Sequence, residues 1–68
     1  MKKLECIKGM VDSDGINVVL MKGDILIVNE VNEGEVLLEG LLGWSEGFEL
    51  SFSPKQIVDH FKVIYQDK

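Results

Sequence analysis

The stretch Lys22-Gly23-Asp24-Ile25-Leu26-Ile27-Val28 decides the fold. Gly23 takes φ > 0 without steric cost, so the backbone can reverse beside it. Ile25, Ile27 and Val28 then favour extended structure, because branched side chains fit a pleated surface better than a helix. The reading is a tight turn feeding a strand from Asp24 to Val31. Ile16 to Met21 leads into the turn as an extended arm. Asn32-Glu33-Gly34 is the next turn, and Glu35 to Gly40 returns as a strand with Val36 and Leu38 on one face and Glu35, Leu37 and Glu39 on the other.

Toward the N-terminus, Lys3 to Val11 reads as a first strand, with Leu4 and Cys6 facing the core. Asp12-Ser13-Asp14-Gly15 closes it with a hairpin turn, Asp-Gly being a favoured dipeptide there. Toward the C-terminus, Leu41 to Gly47 holds two glycines and Trp44 and reads as a loop. Phe48-Glu49-Leu50-Ser51-Phe52 alternates cleanly, as a half-buried strand does. Ser53-Pro54-Lys55-Gln56 then carries an N-cap, a first-position proline and the Gln of a capping box, so a helix is expected over Pro54 to His60. Phe61 to Tyr65 reads as a closing strand and Gln66 to Lys68 as a frayed tail.

Five to six short strands with tight turns and one late helical turn imply an all-β chain. Closure into a barrel is the expectation, since it removes unpaired edges. A chain of 68 residues is expected to form one domain, residues 1–68, burying only about 60% of its unfolded surface. Cys6 is the single cysteine, so no internal disulfide supports that core, and with one histidine the chain lacks a four-ligand zinc set. The longest wholly apolar runs, Val18 to Met21 and Ile25 to Val28, hold four residues each and cannot span a bilayer. With an unpaired thiol and no signal-peptide pattern, a cytoplasmic location is expected.

Charge narrows the function classes. Seven lysines, no arginine and twelve acids leave a net charge of −5. Nucleic-acid binding draws affinity from phosphate neutralisation, and arginine supplies most bidentate base contacts. Its absence counts against DNA or RNA, leaving Lys2, Lys3 and Lys8 as the one basic cluster. The Asp12 turn does not fit an EF-hand: counted from Asp12, Gly15 falls fourth and Gly23 twelfth, where a bidentate Glu is needed. Cys6 and His60 are the one candidate nucleophile and base, with nothing to orient them, and no glycine pattern cradles phosphate. No catalytic, cofactor-binding or metal residue is assigned, and a non-enzymatic protein without a cofactor is expected.

Two features suggest a partner. Trp44 sits in a glycine-flanked loop, where it either serves as a binding aromatic or folds back over a barrel end. The strand after Gly23 is apolar on both faces, with Ile25 and Ile27 on one and Leu26 and Val28 on the other. Only one face can enter the core, so the other needs a cover: the Asp12 hairpin, the helical turn or another chain. Trp44, Ile25 and Ile27 are therefore the candidate partner-binding residues.

With these residues in place, Lys22 to Val28 resembles the diverging turn and following strand of the SH3 domain. The element order continues the likeness through a turn, two strands, a helical turn and a last strand. Cys6-Ile7-Lys8 and Phe61-Lys62-Val63-Ile64 are similar to the framing of a group of small phage and prophage proteins of unknown role. The resemblance implies an SH3-like barrel. It does not imply proline-peptide recognition, because the aromatic-rich first strand and the paired tryptophans of that groove have no counterpart at Leu4 to Val11 or Glu35 to Leu38. Function does not follow from fold. The reading is an interaction module for a protein partner or for a second copy as a homodimer, and the rival is a nucleic-acid-binding barrel.

Overall fold

The computed structural model describes residues 2–64. The chain is mostly β, with seven strands and one helix in that range. In chain order these are β1 (Lys3–Cys6), β2 (Met10–Val11), β3 (Val18–Leu20), β4 (Ile25–Asn32), β5 (Glu35–Leu42), β6 (Glu49–Phe52), α1 (Pro54–His60) and β7 (Phe61–Ile64). Five strands form one antiparallel sheet in the order β6-β5-β4-β1-β7, and β2 pairs with β3 as a separate ribbon. Among the described residues no ladder joins β6 to β7, so the expected closure into one barrel of five to six strands is not seen. α1, which joins β6 to β7, packs against β7, β5 and β6. The expected end of the last strand at Tyr65, and the tail after it, lie outside the described residues.

The expected first strand is broken, which raises the strand count. After Cys6 the Ile7 and Lys8 N–H groups both donate to the His60 carbonyl, at 2.8 and 3.3 Å. The Cys6 thiol donates to the Lys8 carbonyl at 3.2 Å. These bonds hold residues 7 and 8 in a bend, and the ladder resumes at Met10 as part of the second sheet.

Leu4, Cys6, Leu20, Leu26, Leu38, Phe52 and Phe61 form the core. Leu4 and Cys6 point inward as expected, and so do Leu26 and Leu38. Phe52 and Phe61 meet edge to face, with centroids 5.4 Å apart and rings inclined by 70°, a geometry worth about 0.5–1.5 kcal/mol beyond its buried area. The helix spans the residues expected, and for the expected reason. The Ser53 side chain accepts from the Gln56 N–H while the Gln56 side chain accepts from the Ser53 N–H, and Pro54 opens the first turn. Ile57 is the residue of α1 that packs on the core.

Candidate functional site

The site is built around Asp24, the first residue after the Gly23 turn. Asp24 is 2% exposed. Its Oδ1 accepts from the Trp44 N–H at 2.9 Å, and its Oδ2 accepts from the Met21 N–H at 3.1 Å and the Ser45 N–H at 3.2 Å. Its own carbonyl accepts from the Cys6 N–H at 2.8 Å. One side chain thus ties the turn before β4 to the excursion after β5. A buried carboxylate satisfied by three N–H groups is stable where an unpartnered one would not be.

Residues 43–48 then fold back over β5. Gly40 makes this possible, because a Cβ there would strike the Ser45 backbone. The Gly40 N–H donates to the Phe48 carbonyl at 2.9 Å, and the Gly47 N–H returns to the Gly40 carbonyl at 3.1 Å. Gly43 has φ +99°, and a Cβ there would fall on the Asp24 carboxylate. The β5 strand runs two residues further than expected, to Leu42, before this excursion begins.

The excursion lifts two aromatics into solvent. Trp44 is 56% and Phe48 63% exposed. Trp44 is nevertheless fixed at two points, because its indole Nε1–H also donates to the Val18 carbonyl at 2.7 Å. It therefore leans back on the β2–β3 ribbon and stays open to solvent. Val18, Val19, Trp44, Phe48 and Leu50 line a largely apolar groove of about 460 Å³ between the ribbon and β6.

The other two candidate residues lie elsewhere. Ile25 and Ile27 are half-buried on the outer face of the sheet, opposite to Leu26 and Val28. Their register neighbours there are Glu5 and Leu42 for Ile25, and Lys3 and Glu39 for Ile27. Trp44 does not join them. The alternation of Phe48 to Phe52 places Phe48 in the half-buried strand, but β6 begins only at Glu49 and Phe48 lies exposed before it as a groove residue. Asp24 carried no signal beyond its place after a turn glycine.

Cys6 and His60 do converge, on one carbonyl. His60 Nδ1 lies 2.8 Å from the Lys8 oxygen that also receives the Cys6 thiol. A carbonyl only accepts, so Nδ1 carries its proton and is not turned to the thiol as a base. Burial pushes the Cys6 thiol up from its ordinary value, opposed by the Lys8 hydrogen bond and reinforced by the charges of Asp24 and Glu5. A thiol held protonated is a poor nucleophile.

A second cleft of about 440 Å³ opens on the opposite part of the core face, lined by Leu4, Val28, Val31, Val36, Ile57 and Val63 with Lys2 beside them. Among the described residues no cluster of His, Cys, Asp and Glu is arranged to hold a metal ion, and no helix is long and apolar enough to cross a membrane. Comparison with family models, curated proteins and solved structures returns no match.

Proposed function

We propose that this protein is a small, non-enzymatic protein-interaction module of SH3-like architecture whose contact surface is the Trp44–Phe48 groove. The observation that carries the reading is a pair of large aromatics that are more than half exposed while one is held by two hydrogen bonds. Exposed aromatic area that is already ordered costs little entropy on binding, and aromatics anchor most protein interfaces. The SH3-like part rests on the order of elements, with the helical turn entering the last strand, and on the likeness to small phage and prophage proteins. Nucleic acid is the weaker reading. Every residue lining the groove comes from stretches without a lysine, so phosphates would meet no cation there.

The test uses a peptide-display selection on the immobilised protein, followed by binding to two variants. Phe48→Ser removes the exposed groove aromatic, and Val58→Ser removes a residue on α1 that is 76% exposed. Selected peptides are expected to lose affinity by about tenfold or more on Phe48→Ser, the range of an interface anchor, and to keep it on Val58→Ser. A selection that yields no binder sensitive to Phe48→Ser overturns the reading.

A further inference from the structure

The groove has a neighbour that gives its occupant a shape. Strand β6 pairs only with β5 and is therefore an edge of the sheet among the described residues. The two faces of this edge differ. On one, Leu50 and the preceding Phe48 line the groove. On the other, Glu49 lies across from Glu39, and Ser51 donates its hydroxyl to Glu35. Asn29 reaches both Glu39, at 3.1 Å, and Glu49, at 3.4 Å. Glu30 lies opposite Leu37 on the same face. Among the described residues none of these four glutamates is in an ion pair, the two pairs present being Lys55–Asp59 and Lys62–Glu5.

The charge along the chain is segregated in the same sense. Residues 9–54 carry nine acids against Lys22 alone, a net of −8, while the two ends together carry six lysines against three acids, a net of +3. The whole groove and the whole glutamate face come from the acidic section.

Building on the groove reading, we infer that the occupant is an extended segment of a partner protein in which apolar and basic residues alternate, added as a strand to the β6 edge. Strand addition satisfies the free edge with main-chain hydrogen bonds and sends successive side chains to opposite faces. Apolar side chains then enter the groove beside Phe48 and Leu50. Lysine or arginine side chains fall on the side of Glu35, Glu39 and Glu49. A second copy fits this edge badly. β6 against β6 would set one glutamate face beside another, and like charges across a ladder are unfavourable. Bringing the basic ends of one copy to the groove of the next would be a head-to-tail contact, which extends into chains rather than closing as a pair.

The experiment reads the fluorescence of Trp44, the single tryptophan, during titration with four capped octapeptides lacking tryptophan. The first alternates lysine with valine and leucine. The second replaces lysine by glutamate, the third keeps the first composition in two blocks, and the fourth is the first with N-methyl groups on alternate residues. The first is expected to bind with an affinity that falls as salt rises, and the others at least about tenfold more weakly. Glu49→Lys, an exposed change, is expected to weaken the first peptide by about tenfold while leaving the far-ultraviolet spectrum unaltered. Equal binding of the lysine and glutamate peptides overturns the basic partner, and equal binding of the first, third and fourth overturns strand addition, the groove reading surviving both results. If none binds while the display selection yields Phe48-sensitive peptides, the inference falls alone. If neither experiment gives a binder, both fall.

Discussion

Replacing Asp24 tests the interaction on which fold and groove both depend. A hydrogen bond to a charged group contributes about 1.5–3 kcal/mol, and a buried N–H left unpaired costs about as much. The three donors are not equivalent. The Ser45 N–H belongs to a residue that is 1% exposed and has no route to water. Met21 and Trp44 are exposed residues, so water can replace part of what their N–H groups lose. Asp24→Ala should therefore cost about 3–5 kcal/mol, most of it at Ser45. Asp24→Asn keeps the shape. With its amide oxygen at the Oδ2 position it retains Met21 and Ser45 and turns its NH2 toward the Trp44 N–H, donor against donor, for about 1.5–3 kcal/mol.

A chain of this length has about 3–10 kcal/mol to lose. Asp24→Ala then lies near the limit of folding, and Asp24→Asn remains folded with a lower urea midpoint. At a slope of about 1 kcal/mol per molar, that midpoint falls by about 2 M. Urea unfolding followed by Trp44 fluorescence and by far-ultraviolet circular dichroism measures both. An Asp24→Ala variant within about 1 kcal/mol of the parent would refute the reasoning.

Three further outcomes follow from single contacts. Gly43→Ala and Gly15→Ala both place a side chain at positive φ, but only Gly43 also meets the Asp24 carboxylate; Gly15→Ala should cost about 1–2 kcal/mol and Gly43→Ala clearly more, compared by thermal unfolding. Ser53→Ala removes the capping box of α1 and should cost about 1 kcal/mol, lowering the melting temperature by about 4–8 °C. The native Cys6 thiol titrates above its ordinary value of 9.0, so the unfolded chain releases that proton first as pH rises. Stability from this group is present below pH 9.0 and declines above it; Cys6→Ala should lack that share of the alkaline decline when urea midpoints are measured on both sides of the value.

What was legible in the sequence is what neighbours decide. The cap, proline and glutamine of α1 act within four residues, and Gly15, Gly23 and Gly34, each placed in an expected turn, all have positive φ. The alternation of Leu4 with Cys6 and of Val36 with Leu38 matches the faces found. What was not legible is made by distant partners. The first strand breaks because the carbonyl of His60 collects the N–H groups of Ile7 and Lys8, and nothing within that strand announces it. Phe48 keeps the period of β6 yet lies exposed before it, because the excursion held over Gly40 ends at that residue. Of the candidate site, Trp44 could be named from its loop. Its anchors on Asp24 and Val18 lie 20 and 26 residues away in sequence, so its fixed orientation could not.

These distant bonds explain how an exposed tryptophan can be ordered. In most small domains a large aromatic is fixed by burial, which removes it from any partner. Here the backbone of Trp44 is fixed by a buried carboxylate and its indole by a carbonyl of the neighbouring ribbon, so neither restraint consumes its open ring face. The side-chain entropy that a partner would otherwise have to remove, about 0.5–1.5 kcal/mol for an ordered side chain, has largely been lost on folding. The same logic ties the groove to the turn that opens β4. Met21 and Trp44 hang from opposite oxygens of Asp24, so a change at that turn acts on the groove through one side chain. Asp24→Asn, folded but with its Trp44 bond reversed into a clash of donors, should therefore lose peptide affinity out of proportion to its effect on the core.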